Sequence, residues 1–422
     1  MSTAFPIVTW ANGTNIYEVN VRQYTKDGTF RAFMSHLPRL RDMGVEVLWL
    51  MPVTPISVEK RQGTWGSYYA ASSYIDIDPA YGTRDDFAGL IKTAHEYGMK
   101  VIIDWVANHT GYDHVWTKQY PAWYHKDAEG KFTDLHGWVD VIDLDYRIPE
   151  MREEMIRSMK YWVKEFDIDG FRCDMARTVP LDFWIEARSE CDAVKCLFWL
   201  AECEVFSYHE SFDLTYGWQC MRAIDEFMKG KLPFSDILPI LSAYSQYPIG
   251  SRKLLFTSNH DENTDVGTEY EKYGPAAHAM AVFSCTWPGI PLIYSGQEKP
   301  NYKRLAFFEK DDIDWSGEVE LHDFYKTMLT LRKRNKALQE SASVLVVPAT
   351  HPEVLVYLCR RQADKVLVMI NFSKEPVSFS VNHPAIAGRY REMFAGGERQ
   401  LTRKELFDFA PGGYLALEHT AE

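Results

Sequence analysis

The chain has 422 residues, 46% of them hydrophobic and 25% charged, with a net charge of −13. That composition supports a large core and, at about 150 residues per domain, two or three domains. The acidic balance, with no basic stripe, excludes a nucleic-acid partner, and no apolar run approaches the roughly 20 residues that span a bilayer.

In chain order, short apolar runs predict strands over residues 16–21, 47–52, 101–104, 170–174, 197–202, 212–215, 254–259 and 291–294. Amphipathic stretches lie between most of them. One is 83–98, "TRDDFAGLIKTAHEYG", with Thr83 as its N-cap and Gly98 past its end. Another is 149–166. Eight strands with intervening helices predict a (β/α)8 TIM barrel. The runs are continuously apolar, as strands covered on both faces should be.

From 111 to 146 no helical period is clear and aromatics are frequent, which predicts a small lobe inserted after strand 3. After residue 344 the pattern changes to strands linked by turns: "SVLVVPA", "VLVYLCRR", "KVLVMINFS", "VSFSVN", "YLALEH". The expected organisation is therefore a barrel over 1–110 and 147–344, the lobe over 111–146, and a C-terminal β-sandwich domain over 345–422.

The seven cysteines are odd in number and include no C-x-x-C pair, which suits reduced, buried thiols. The opening "MSTAFPIVTWANGTN" has no basic region and no long apolar run. A cytoplasmic location is expected on that basis. Nothing in composition or motifs speaks to the oligomeric state.

In a barrel of this kind, polar residues at the C-terminal strand ends line the functional mouth. Four carboxylates fall there: Asp104 in "VIIDWVANHTG", Asp174 in "GFRCDMA", Glu202 in "FWLAECE" and Asp261 in "FTSNHDEN". An Asp after a strand is also a common helix N-cap. That reading covers a glutamate poorly and leaves Arg172 and the neighbouring histidines unexplained. Converging carboxylates suit glycoside hydrolysis, where one acts as nucleophile or base and another protonates the leaving oxygen. Crowding separates their pKa values. Arg172 stays charged, and two residues from Asp174 it shares the same strand face, so it can aim that carboxylate.

These segments together resemble the alpha-amylase family, glycoside hydrolase family 13. "DWVANH", "GFRCD", the Glu of "WLAECE" and "NHD" look like its four conserved regions. "GVEVLWLMPVTP", "SYYAASSYIDIDPAYGT" and "GIPLIYSGQE" resemble its strand 2, following-loop and strand 8 signatures. The resemblance implies Asp174 as nucleophile, Glu202 as general acid/base and Asp261 as the third carboxylate. It implies Arg172 orienting Asp174, with Asp104 in support. His109 and His260 would donate to sugar hydroxyls, and Tyr69 would stack on the sugar, although Tyr68 stands where the family has glycine.

By this resemblance the expected activity is that of a retaining hydrolase of alpha-1,4-linked glucans or maltooligosaccharides, working through a covalent beta-glucosyl enzyme. Its partner would be an oligosaccharide or polysaccharide. Transglycosylases and sucrose-, trehalose- or alpha-1,6-active members share the same motifs. A non-catalytic relative would have lost Asp174 or Glu202. No cofactor is required; in many amylases the residues matching Asn108 and Asp143 ligate calcium, which makes these two the candidate ligands. The chain departs from the family at Arg177-Thr178, where a Lys-His pair is common, and "VIDLDY" matches neither of two well-known subgroup signatures.

Overall fold

Eight short, almost entirely buried strands close into a parallel barrel in this computed structural model, which describes residues 5–244, 247 and 250–420. They are β1 (Ile16–Val19), β2 (Val47–Leu50), β3 (Lys100–Val106), β4 (Gly170–Asp174), β5 (Phe198–Ala201), β6 (Leu214–Tyr216), β7 (Arg252–Phe256) and β8 (Ile290–Tyr294). Each pairs with its neighbours in sequence, and β8 returns to β1 through Ile16 opposite Leu292. All eight correspond to the apolar runs. Four of them, β1, β2, β5 and β7, end one to three residues earlier than expected, whereas β3 runs on to Val106 and β6 to Tyr216.

The helix after β2 runs Arg84–Glu96. Thr83 accepts from the Asp86 amide, and Asp86 accepts in return from the Thr83 amide, closing a capping box. The helix Pro149–Phe166 begins on proline, whose missing N–H costs nothing in a first turn. It ends at Asp167, which is left-handed (φ 56°). Two residues on, buried Asp169 accepts from the Val101 amide at 2.9 Å, His95 at 2.7 Å and Lys100 at 3.1 Å. That knot locks the start of β4 against β3.

The lobe after β3 carries two short antiparallel strands, His109–Gly111 and Val141–Asp143, with His109 opposite Asp143. A helix over Val115–Gln119 lies inside it, where no helical period was expected. Five residues are too few to display one.

Beyond the barrel, strands Ser343–Val347, Val354–Arg361, Asp364–Asn371, Tyr414–His419, Gly388–Glu392 and Glu398–Leu401 form an antiparallel sheet. Val377–Asn382 pairs with Lys404–Phe409 in a second sheet. Period-two alternation sorts the faces. Val356, Leu358, Leu367 and Met369 pack with Phe379 and Phe407 between the sheets. Tyr357, Cys359, Val366 and Val368 pack with the barrel's own core. The change of pattern after residue 344 falls within the first of these strands. No helix among the described residues is long and apolar enough to cross a membrane.

Candidate active site

The apolar run of β4 holds Arg172 and Asp174 on one side and Phe171 and Cys173 on the other. Phe171 packs against Trp105 and Trp199. Arg172 turns into the barrel and is fully buried. Its Nη1 donates to Asp174 Oδ1 at 2.9 Å and to Asp104 Oδ1 at 3.0 Å. Its Nη2 stands 3.1 Å from Glu202 Oε2 as a charge contact without hydrogen-bond alignment. Its Nε reaches the Tyr216 hydroxyl at 3.2 Å. One guanidinium thus joins three of the four predicted carboxylates, which offsets a desolvation cost that an unpaired charge could not meet.

Each element delivers its residue differently. Asp104 lies inside β3 rather than at its end, directly opposite Arg172, and Oδ2 accepts from Trp49 Nε1 at 3.1 Å. Glu202 follows β5 immediately, and its Oε2 accepts from the Met175 amide at 2.8 Å. Met175 adopts a left-handed conformation (φ 43°) that aims this amide. Such strain in a non-glycine residue persists only where the surroundings enforce it. Asp261 sits in the loop after β7, at the head of a π-helical turn over Glu262–Val266. It is the most open of the set, its side chain 42% exposed.

Burial pushes the carboxyls of Asp174 and Glu202 up, while Arg172 pulls both down. Neighbouring anions push them up again: Asp104 and Asp261 act on Asp174, and Asp174 and Asp261 act on Glu202. The net direction is upward for both. A carboxyl that keeps its proton beside one that Arg172 holds ready to ionise is the arrangement acid catalysis needs.

Tyr69 and His260 join this cluster. The Tyr69 hydroxyl lies 2.6 Å from His260 Nε2 and donates to Asp104 Oδ2 at 3.2 Å. Its ring is stacked with His260 and with Phe307. Tyr68 turns away to face the Arg22 guanidinium at 3.7 Å. His109 is set apart, on the lobe's paired strand. It meets Asn108 Nδ2 at 3.2 Å and the edge of Trp138, and has no direct bond to the carboxylates among the described residues. Burial holds it neutral, down to about 4.

The candidate calcium pair does come together, but as donor and acceptor. Asn108 Nδ2 donates to Asp143 Oδ1 at 3.0 Å, and Asp143 Oδ2 accepts from the Leu135 amide at 2.9 Å. Nearby Asp134 and Asp140 each keep one buried oxygen without a donor among the described residues. Yet among the described residues no three His, Cys, Asp or Glu side chains stand close enough to share an ion. Calcium takes six to eight oxygens, and these residues as arranged do not fit it.

A cleft of about 750 Å³ opens beside Glu202, lined by Met175, Arg177, Thr178, Trp218, Gln219 and Arg222 among others. The Arg222 guanidinium lies over the Trp218 ring at 5.2 Å. A second cavity of about 570 Å³, near Gly250–Lys253 and Trp287–Ile290, touches none of the carboxylates. It lies at the opposite, N-terminal ends of β7 and β8, so the chemistry belongs to the first.

Three residues of the site escaped the reading of the sequence: Glu18, Trp49 and Tyr216. Glu18 Oε1 stands 2.5 Å from His260 Nδ1. A charge inside the apolar run "NIYEVNV" is the same signal that drew attention to Arg172. Trp49 and Tyr216 look like ordinary core residues, and only their polar tips, aimed inward, set them apart.

Known proteins resemble the chain over most of its length. The family described as "Alpha amylase, catalytic domain" matches residues 11–122 and 116–196, and "Maltogenic Amylase, C-terminal domain" matches 344–414. The structure of AmyB from Thermotoga neapolitana, a "noncanonic maltogenic alpha-amylase", superposes with a TM-score of 0.89 at 31% identity, covering 97% of this chain and 99% of that one. An alpha-amylase from Lactobacillus plantarum gives 0.87 at 28% identity, with 97% and 99% covered. The alpha-amylase MalA of Haloarcula japonica is 27% identical over 93% of this chain, which spans 61% of the length of MalA.

Proposed function

The chain belongs to the alpha-amylase family, and from that premise we propose that it is a retaining alpha-glucoside hydrolase acting on alpha-1,4-linked glucans or maltooligosaccharides. The observation that carries the reading is the single buried guanidinium of Arg172, which contacts Asp104, Asp174 and Glu202 together. Two carboxyls within reach of one guanidinium are closely spaced. Retaining glycosidases keep theirs about 5–5.5 Å apart, whereas inverting ones leave a wider gap for water.

In this reading Asp174 is the nucleophile. Arg172 keeps it ionised and directs one oxygen at the anomeric carbon. Glu202, held by the Met175 amide and raised by burial, protonates the departing glycosidic oxygen. The bond from carbon to that oxygen breaks as the bond to Asp174 forms. Glu202, now ionised, then takes a proton from water, which cleaves the glucosyl ester and restores both groups. Asp261 binds hydroxyls of the sugar and faces the positive charge that develops on it. His260 and His109 donate to hydroxyls, and Tyr69 offers its ring face to the sugar. The leaving sugars occupy the cleft along Arg177, Trp218 and Arg222.

The test is incubation with maltoheptaose, following product sizes and anomers over time. Alpha products at first appearance are expected. Beta products would overturn the retaining assignment, and absence of any cleavage would overturn the activity.

A further inference from the structure

Glu18 is a carboxylate in the middle of β1, fully buried between β2 and β8. Its Oε1 stands 2.5 Å from Nδ1 of His260, and its Oε2 has no hydrogen-bond partner among the described residues. A buried carboxylate costs several kcal/mol unless it is paired, so His260 is what makes Glu18 tolerable there. The question is what Glu18 does for His260.

Counting protons answers it. The Tyr69 hydroxyl contacts both His260 Nε2 and Asp104 Oδ2, yet it has one proton. Asp104 is an acceptor for Arg172 and Trp49 and has no proton to give. One of the two tyrosine contacts therefore takes its proton from His260 Nε2. At the short contact to Glu18 a further proton lies between Nδ1 and Oε1: burial pushes the Glu18 carboxyl up, while His260 and Arg172 pull it down. With that proton on Nδ1 both ring nitrogens are protonated, and an imidazolium faces a carboxylate.

The surroundings agree. Burial works against the charge, but Asp261 and Glu18 outweigh it, and the imidazole is pushed up to about 9. Asp104 and Asp265 add to the same field, and Arg172 opposes it. His260 is thus the opposite of His109, which faces weaker partners and stays neutral.

We propose that Glu18 is a positioning residue for the reaction: it holds His260 as an imidazolium, so that Nε2–H is a fixed donor, to Tyr69 in the free enzyme and to the sugar hydroxyl that takes its place when substrate binds. This rests on the hydrolase reading above. Without Glu18 the ring can lose a proton and turn an acceptor toward the sugar, and Tyr69 loses its donor.

The experiment is nitrogen-15 NMR of the histidine side chains, read across pH in the full-length enzyme without substrate, together with pH profiles of kcat/KM on maltoheptaose. The wild type should show the His260 ring with both nitrogens protonated from about pH 6 to 8. In Glu18→Gln that ring should titrate at least about one unit lower. Because Glu202 sets the alkaline limb in both proteins, the effect is read as a ratio: kcat/KM of Glu18→Gln should fall about 10-fold below wild type at pH 8 and recover partly at pH 6. A neutral His260 ring in the wild type at pH 7 would overturn the proposal even if the variant failed to fold. So would a Glu18→Gln protein whose ring signals stay in place and whose kcat/KM ratio to wild type does not change with pH. If the wild type releases no sugar, the hydrolase reading fails, while the ring signals still judge the pair.

Discussion

Asp104 stands directly across the β3–β4 pairing from Arg172 and accepts its Nη1 at 3.0 Å, with neither side chain exposed. That relationship makes the barrel wall itself the holder of the site. The arginine cannot swing without breaking a fixed register, so the carboxylates it serves are fixed as well.

The charge of Asp104 raises the Asp174 carboxyl. Replacing Asp104 by Asn keeps the shape and removes an anion. Asp174 should then ionise more easily, and the acid limb of kcat/KM, which reports the ionised nucleophile, should move to lower pH. Meanwhile kcat should fall about 10²-fold as Arg172 loses its anchor. A limb that moves upward in Asp104→Asn would contradict the geometry.

Glu202 is raised by burial and by Asp174 and Asp261, against Arg172. A raised acid keeps its proton to higher pH, so the wild-type alkaline limb should lie above about pH 5, beyond the ordinary glutamate range. Glu202→Gln should lose about 10²- to 10⁴-fold on maltooligosaccharides. It should lose far less on alpha-glucosyl fluoride in the bond-breaking step, because fluoride leaves without a proton. Equal losses on both substrates would remove Glu202 from the acid role.

Asp169 is a stability residue rather than a catalytic one. Burial pushes its carboxyl up, but the bond from His95, the Val101 amide and Lys195 outweigh that, and it is held down at about 2. A depressed carboxylate adds stability above its unfolded pKa of about 3.9 and loses it as pH falls through about 2. Asp169→Asn should therefore cost roughly 2–3 kcal/mol at pH 7. The gap between variant and wild type in denaturant titrations should close between about pH 4 and pH 2. A gap independent of pH would mean that packing, not charge, makes the difference.

In the cleft beyond Glu202, the Trp218 ring and the Arg177 and Arg222 side chains stand where the leaving sugars pass. Trp218→Ala should lower kcat/KM for maltoheptaose roughly 10-fold, the worth of one aromatic stacking contact. An aryl alpha-maltoside, which places little in this cleft, should be cleaved nearly as before. Matching losses on the two substrates would put Trp218 outside the path.

Because both oxygens of Asp143 already accept N–H bonds, chelation should leave the protein unchanged. Dialysis against EDTA is expected to shift Tm by less than about 1 °C, since a ligand that is not bound adds no stability. A clear drop, restored by calcium, would show that Asn108 and Asp143 rearrange around an ion.

Much of this was legible in the amino-acid order. Strands buried on both faces have to be apolar, so a charged residue inside one announces a partner, and "GFRCD" announces two on one face. Glu18 carries the same signal inside "NIYEVNV". Its partner His260 lies 242 positions away, and one-dimensional spacing says nothing about which distant strand end will meet it. The Val115–Gln119 helix was hidden by its brevity. Motif named Asn108 and Asp143 as candidate ligands, but whether they meet as two ligands or as donor and acceptor depends on side-chain rotamers.

By itself, then, the order of residues determined the eight-stranded barrel, the change to antiparallel sheet near residue 344, and the carboxylates gathered at one mouth. It does so because hydrophobic periodicity and strand alternation are local properties of the chain. Only the tertiary structure decided that one guanidinium serves three carboxylates, that Tyr69 rather than Tyr68 faces them, and that His260 is clamped by Glu18. Those outcomes depend on barrel closure, which sets strands remote in sequence side by side at a fixed register and converts chemical possibility into distances.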